Sequence, residues 1–233
     1  MPHNSHENIY IGVYLIIGAI KPINWCIMLT KKQIKILFPF LVNVFKGYGQ
    51  REIGRLAKEK SNNAMQLAMA QFEKENIITS SKVGTSKIYK INLDNDLSYD
   101  YLTLLKYDCL PREVYQSIES LKKQIEKYTL FYSLVLFGSY VDGKQNKKSD
   151  LDIALIIPDK TQESNMKIVK NMASMKSLLD LDIQIITFDE MLEMLTNKEV
   201  NVGKEIAHKH RAVHNINIFY KIVRKAIEHG FSY

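Results

Sequence analysis

Residues 131–157 read FYSLVLFGSYVDGKQNKKSDLDIALII, and this stretch decides the fold of the second half of the chain. Phe131 to Phe137 is an apolar, strand-forming run that stops at Gly138-Ser139. Ten residues follow before Asp150-Leu151-Asp152 opens a second apolar run, Ile153 to Ile157, closed by Pro158. The pattern is a strand, a Gly-Ser turn, a polar loop, and a strand that begins with Asp-x-Asp. Side chains alternate across a strand, so Asp150 and Asp152 share a face.

Two carboxylates backed by an apolar core make a hard-oxygen site suited to Mg²⁺. Gly138 lets the backbone approach a phosphate closely, and Ser139 adds a hydroxyl donor. Exposed N–H groups at the start of a following helix would favour an anion. Such a site needs a third carboxylate, as ligand and as acceptor of a proton. The candidate strand Leu181 to Thr187 supplies Asp182 at its start, and Asp180 has the same parity and is a rival.

This spacing resembles the signature of the DNA polymerase β-type nucleotidyltransferases, Gly-Ser followed by ten residues and then Asp-x-Asp. Here it stands as Leu136-Phe137-Gly138-Ser139-Tyr140-Val141-Asp142-Gly143 and Ser149-Asp150-Leu151-Asp152-Ile153. The nearest likeness is to the minimal nucleotidyltransferases of prokaryotes. Val141-Asp142 departs from the Ala-Arg common there, a loss that Lys144, Lys147 and Lys148 would offset as point charges. The resemblance implies transfer of a nucleoside monophosphate with release of pyrophosphate. It implies Mg²⁺ on Asp150, Asp152 and Asp182, with ATP or another nucleoside triphosphate as substrate. Gly138, Ser139, Lys147 and Lys148 would bind the nucleotide. It further implies a protein acceptor, since minimal nucleotidyltransferases often act as antitoxins on a HEPN-type toxin.

Towards the N-terminus the periodicity predicts helices over 31–48, over Gln50 to Lys60 and over Ala64 to Glu75. Met65, Ala68, Met69 and Phe72 form a buried face on the last of these, and Asn76 stops it. Two short strands, Ile77–Thr79 and Lys87–Ile91, are joined by a turn over Ser80 to Ser86. Three helices and a hairpin are the order of a winged helix-turn-helix. Gln50 to Asn92 resembles the winged modules of prokaryotic regulators. It carries Arg51-Glu52-Ile53-Gly54-Arg55-Leu56-Ala57, Phe72-Glu73-Lys74-Glu75-Asn76-Ile77-Ile78 and Ile88-Tyr89-Lys90-Ile91. In that arrangement Asn62, Asn63 and Gln66 face a DNA groove, and Lys82 and Lys87 meet phosphates.

The charge supports this division. Residues 31–93 carry twelve Lys/Arg and four Asp/Glu, and the rest of the chain is slightly acidic, so the net charge of +7 arises wholly in that segment. A basic segment of this size points to a polyanion. Two cysteines are too few for a disulfide framework or a Cys-rich zinc site and fit a reducing cytosol. The apolar run Ile9 to Ile20 falls short of the roughly twenty residues that span a bilayer. No membrane partner is expected, and the expected location is cytoplasmic. One reading treats residues 1–27 as an over-extended start, with Met28 the natural beginning.

The expected fold class is α+β: a winged helix-turn-helix over 28–95, a linker and helix over 96–130, and a nucleotidyltransferase-fold domain over 131–233. The last would hold a mixed β-sheet flanked by helices. Asp94 to Asp100 reads as acidic linker, and 101–128 as helix broken at Pro111. His208, His210 and His214 read as lying on a C-terminal helix, with His210 and His214 on one face. Expected partners are double-stranded DNA, a HEPN-type toxin and a second copy of the chain. The alternative is a transcription regulator whose second domain senses nucleotide without turnover.

Overall fold

The computed structural model describes residues 29–107, 110–146 and 149–233. The extension at 1–27, both cysteines, Lys147 and Lys148 lie outside the described residues.

Helix α1 (Lys31–Val42) begins at a reciprocal cap: Thr30 Oγ1 accepts from Gln33 N–H, and Gln33 Oε1 accepts from Thr30 N–H. It ends at Val42, short of the expected 48, one turn after Pro39 removes a donor from the ladder. Tyr48–Gly49, at the end of the expected helix, forms the short strand β1. Helix α2 (Gln50–Ala57) ends where Lys58 turns left-handed, and α3 (Asn62–Lys74) starts at Ser61, whose Oγ accepts from Ala64 N–H. Asn76 takes φ +58°, and Ile77 N–H reaches back to the Phe72 carbonyl at 2.9 Å. This left-handed cap is the helix stop expected there.

Strands β2 (Ile78–Val83) and β3 (Ser86–Ile91) are longer than the sequence suggests, because the hairpin turns on only Gly84 and Thr85. Gly84, at φ +58°, supplies the conformation that a two-residue hairpin requires at its first central position. β1 pairs with β3, giving a sheet ordered β1-β3-β2.

The expected linker, Asp94 to Asp100, is instead mostly the start of helix α4 (Asp96–Tyr107), whose second half falls in the expected helical stretch. Its acidic start, which mimics a linker, sits where the helix dipole favours negative charge. Asn95 accepts from Leu97 N–H and donates to the carbonyls of Glu75 and Asn76, tying α4 to the end of α3. Helix α5 (Arg112–Ile125) follows from Pro111.

The remaining elements are β4 (Ser133–Leu136), the single-turn α6 (Ser139–Asp142), β5 (Leu151–Ile157), α7 (Glu163–Lys176), β6 (Leu181–Thr187), α8 (Phe188–Thr196), α9 (Val202–His208), β7 (Arg211–His214) and α10 (Ile216–Glu228). The strands form one sheet ordered β6-β5-β4-β7. The β5–β6 pair is parallel and the others antiparallel, which is the mixed sheet flanked by helices that the sequence predicts. Parallel pairing requires a crossover, and α7 provides it.

The alternation of the strands divides the apolar residues between two cores. Leu134, Leu136, Leu151, Ile153 and Leu155 pack against α5 and α7. Val135, Ala154, Ile156 and Ile186 face the other way, into a core continuous with α8, α10 and the whole N-terminal region from Ile36 onward. Arg224 of α10 reinforces this junction, donating to the Leu93 carbonyl at 3.0 Å and to Asp94 Oδ1 at 2.6 Å. Tyr99 stacks on Tyr220, and Phe45 meets both Tyr220 and Tyr233. Asp152 and Asp182 share the strand parity of this second face. Among the described residues no helix is long and apolar enough to cross a membrane.

Candidate active site

β4 ends against β5, with Phe137 N–H donating to the Asp152 carbonyl at 3.1 Å. Gly138 then adopts φ +67° and ψ −151°, a region essentially closed to residues with a Cβ. A Cβ at this position would lie 2.0 Å from Asp152 Oδ2, so the carboxylate occupies the space that the missing side chain leaves. The Ser139 N–H donates to the same carboxylate. The Gly-Ser turn and the Asp-x-Asp strand are thus a single unit, with Asp152 lodged on the turn.

β5 and β6 run in register, pairing Leu151 with Leu181 and Asp152 with Asp182. This puts Asp182 beside Asp152 on one face. Asp180 precedes the strand, and its carbonyl accepts Leu151 N–H at 2.7 Å. Asp150 also lies just outside its strand and is exposed. Burial raises the Asp152 carboxyl above the usual carboxylate range. The charges of Asp182, Asp150 and Glu205 add to the rise, and the Ser139 N–H opposes it. Glu205 comes from α9 and was not found by reading the sequence, where nothing nearby marks it.

Asp182 is held from two sides. Gln184 Nε2 donates to its Oδ2 at 3.0 Å, and Lys170 Nζ lies 3.7 Å from its Oδ1. Among the described residues no group of three or more His, Cys, Asp and Glu is arranged to hold a metal ion. The donor chemistry still suits Mg²⁺, which commonly takes one or two carboxylates and completes its shell with water and phosphate oxygens. A divalent cation would also relieve the crowding of negative charge at Asp152.

The polar loop is held at both ends by hydrogen bonds. Lys144 N–H donates to the Ser139 carbonyl at 3.0 Å, and Asn146 N–H donates to Ser149 Oγ at 2.9 Å.

The histidines correct the sequence reading, since they do not share a helix. His208 ends α9, His210 lies in the short connection to β7, and His214 ends β7. His210 is buried with Nδ1 2.8 Å from the Ala207 carbonyl and packs on Phe219 and Tyr220. Burial pushes its pKa down to about 4. His214 stacks on Tyr132 at 4.5 Å.

In the N-terminal region Asn62, Asn63 and Gln66 are exposed along the start of α3. Lys82 is exposed on β2, directly across from Lys87. Lys87 is tied back to α3 by an ion pair with Glu73 at 2.9 Å, so it is a less available cation than the sequence suggests. Basic residues overlooked in the sequence lie beside the asparagines: Arg51, Arg55, Lys58 and Lys60 line a groove of about 850 Å³ with Asn62 and Gln66.

Residues 119–212 match the family of polymerase beta nucleotidyltransferases, a span that includes the Gly-Ser turn and all the candidate aspartates. A curated relative, the protein adenylyltransferase MntA of Shewanella oneidensis, is 31% identical over 90 residues, covering 38% of this chain and 60% of MntA. The match thus spans somewhat less than two thirds of that relative's length. A solved structure described as a toxin–antitoxin with AMP-PNP aligns with 51% of this chain and 86% of its own, at 17% identity and a TM-score of 0.35. The chain carries a nucleotidyltransferase-type domain.

Proposed function

We propose that this chain moves a nucleoside monophosphate, AMP from ATP in the simplest case, to a hydroxyl of a partner protein. The reading is carried by one observation: Asp152, lodged against the Gly138-Ser139 turn, stands in register with Asp182 on the adjacent strand, within the segment that matches nucleotidyltransferases. A protein acceptor is supported by the activity named for MntA. A HEPN-type toxin is the acceptor class that the likeness to minimal nucleotidyltransferases suggests.

Asp152, Asp182 and Asp150 would hold Mg²⁺, which when bound supplies Lewis-acid neutralisation of the triphosphate. Ser139 and the Gly138 backbone hold the β and γ phosphates, with Lys147 and Lys148 adding positive charge. The Asp182 carboxylate orients the acceptor hydroxyl and takes its proton. The hydroxyl oxygen forms a bond to the α-phosphorus, the α–β bridging bond breaks, and pyrophosphate leaves in line. Incubation of the full chain with α-labelled ATP, Mg²⁺ and candidate acceptors is expected to label a protein, and EDTA is expected to abolish the label. Labelling that persists in EDTA would sink the metal-dependent mechanism.

A second reading is favoured by the basic groove between α2 and α3. Residues 28–95 would be a winged helix-turn-helix on double-stranded DNA, and the nucleotidyltransferase-type domain would sense nucleotide without turnover. Duplex binding by the full chain should weaken on the order of 100-fold between 50 and 200 mM salt if about four cations contact phosphates. The double substitution Arg51→Ala and Arg55→Ala should lower the slope of log K against log salt by about 2. Affinity indifferent to salt would exclude this groove as a DNA site.

A further inference from the structure

The acidic pair has a cation of its own. Lys170, on the crossover helix α7, places Nζ 2.7 Å from the Ile183 carbonyl oxygen and 3.7 Å from Asp182 Oδ1. β6 is an edge strand, and its pairing with β5 runs through the residues flanking Ile183: the Asp180 carbonyl takes Leu151 N–H, and the alternation continues along the strand. The Ile183 carbonyl therefore points to the open edge, where Lys170 satisfies it. A lysine anchored to main chain in this way holds its ammonium beside Asp182, on the side away from Asp152. Gln184, of the same strand parity as Asp182, holds the other carboxylate oxygen at 3.0 Å. Asp152 receives the Ser139 N–H and stands in the field of Asp182, Asp150 and Glu205.

We propose that Lys170 is the built-in counter-ion of the acidic pair, orienting Asp182 at the sheet edge and weakening the nucleotide-free site for divalent cations. This rests on the nucleotidyltransferase reading above. With two in-register carboxylates and one neighbouring ammonium, the chain alone is a poor cage for a divalent ion. Triphosphate oxygens supply the missing ligands, so the cation enters with the nucleotide. Lys170 is a positioning residue that acts through Asp182.

The test is Mn²⁺ binding to the full chain without nucleotide, followed by the electron paramagnetic resonance signal of free Mn²⁺. Lys170→Met removes the charge. Lys170→Gln removes it but keeps an N–H donor for the Ile183 carbonyl, and Lys170→Arg keeps the charge. A unit charge beside a divalent ion at a partly exposed site is worth roughly fivefold in affinity or more. Both charge-removing variants should therefore bind Mn²⁺ at least about fivefold tighter than the parent, and Lys170→Arg should match the parent within about twofold. A purely structural role would weaken binding instead. Thermal melts establish that each variant is folded; Lys170 is 38% exposed, so its substitution leaves the cores intact. Unchanged, weaker or undetectable Mn²⁺ binding in both charge-removing variants overturns the proposal. Nucleotidyl transfer measured on the same samples separates the two claims. Transfer with unaltered Mn²⁺ affinity removes the counter-ion and leaves the enzyme, and tighter Mn²⁺ binding without transfer by any variant does the reverse.

Discussion

Asp152→Asn is expected to lower nucleotidyl transfer by about 100- to 1000-fold, the several kcal/mol that charge neutralisation at a reacting phosphate supplies. It should do so while leaving the chain at least as stable as the parent. The two effects share a cause. Asp152 is partly buried and crowded by Asp182, Asp150 and Glu205, so its carboxyl is raised above the usual carboxylate range. A carboxyl whose pKa is higher in the folded than in the unfolded chain costs stability wherever it is ionised in the fold. At neutral pH the parent carries that cost and the asparagine variant does not. As pH falls through the raised folded value towards the ordinary aspartate value of about 4 the cost disappears, so the difference in melting temperature should shrink. Melting in EDTA between pH 4 and 8, with transfer measured separately, checks both halves. A variant that loses transfer by unfolding would show the carboxylate to be a structural member and remove it from the chemistry.

Gly138→Ala is expected to be more damaging than an alanine in a turn usually is. The backbone there, at φ +67° and ψ −151°, costs a residue with a Cβ about 1–3 kcal/mol. The new methyl would also fall 2.0 Å from Asp152 Oδ2. Either the turn or the carboxylate must move, and the carboxylate is the more mobile of the two. Denaturant unfolding should show a loss of at least about 1 kcal/mol, and transfer should fall on the order of 100-fold from displacement of a reacting group by about 1 Å. Gly84→Ala is the control: it shares a positive φ, at +58°, and nothing lies within 4 Å of the position its Cβ would take. Destabilisation there without loss of transfer would separate backbone strain from disturbance of the site. Full transfer by Gly138→Ala would mean that Asp152 is not held by this turn for catalysis.

Much of this arrangement is legible in the chain. The continuous apolar run Ile153 to Ile157 announces a strand buried on both faces, and the Gly-Ser before it announces a turn that a side chain would obstruct. The buried stripe of α3 and its asparagine stop are equally local. The misreadings have local causes too. Asp96 and Asp100 look like a linker because acidic residues at the start of a helix have the composition of one. Helical spacing of His210 and His214 carries no information about whether the segment is helical, and the chain there runs as a short connection and a strand.

By itself the sequence determined strands β4, β5 and β6, the buried face of α3, the shared parity of the aspartates and the need for a glycine at position 138, because each depends on the conformation of residues adjacent in the chain. Tertiary structure decided the rest. The parallel register of β5 with β6 put Asp182, rather than Asp180, beside Asp152. The packing of α9 and α7 brought Glu205 and Lys170 to the same carboxylates, and a common core joined the basic N-terminal region to the sheet. Register and packing are set by contacts between residues far apart in sequence, and no local pattern encodes which distant side chain will arrive.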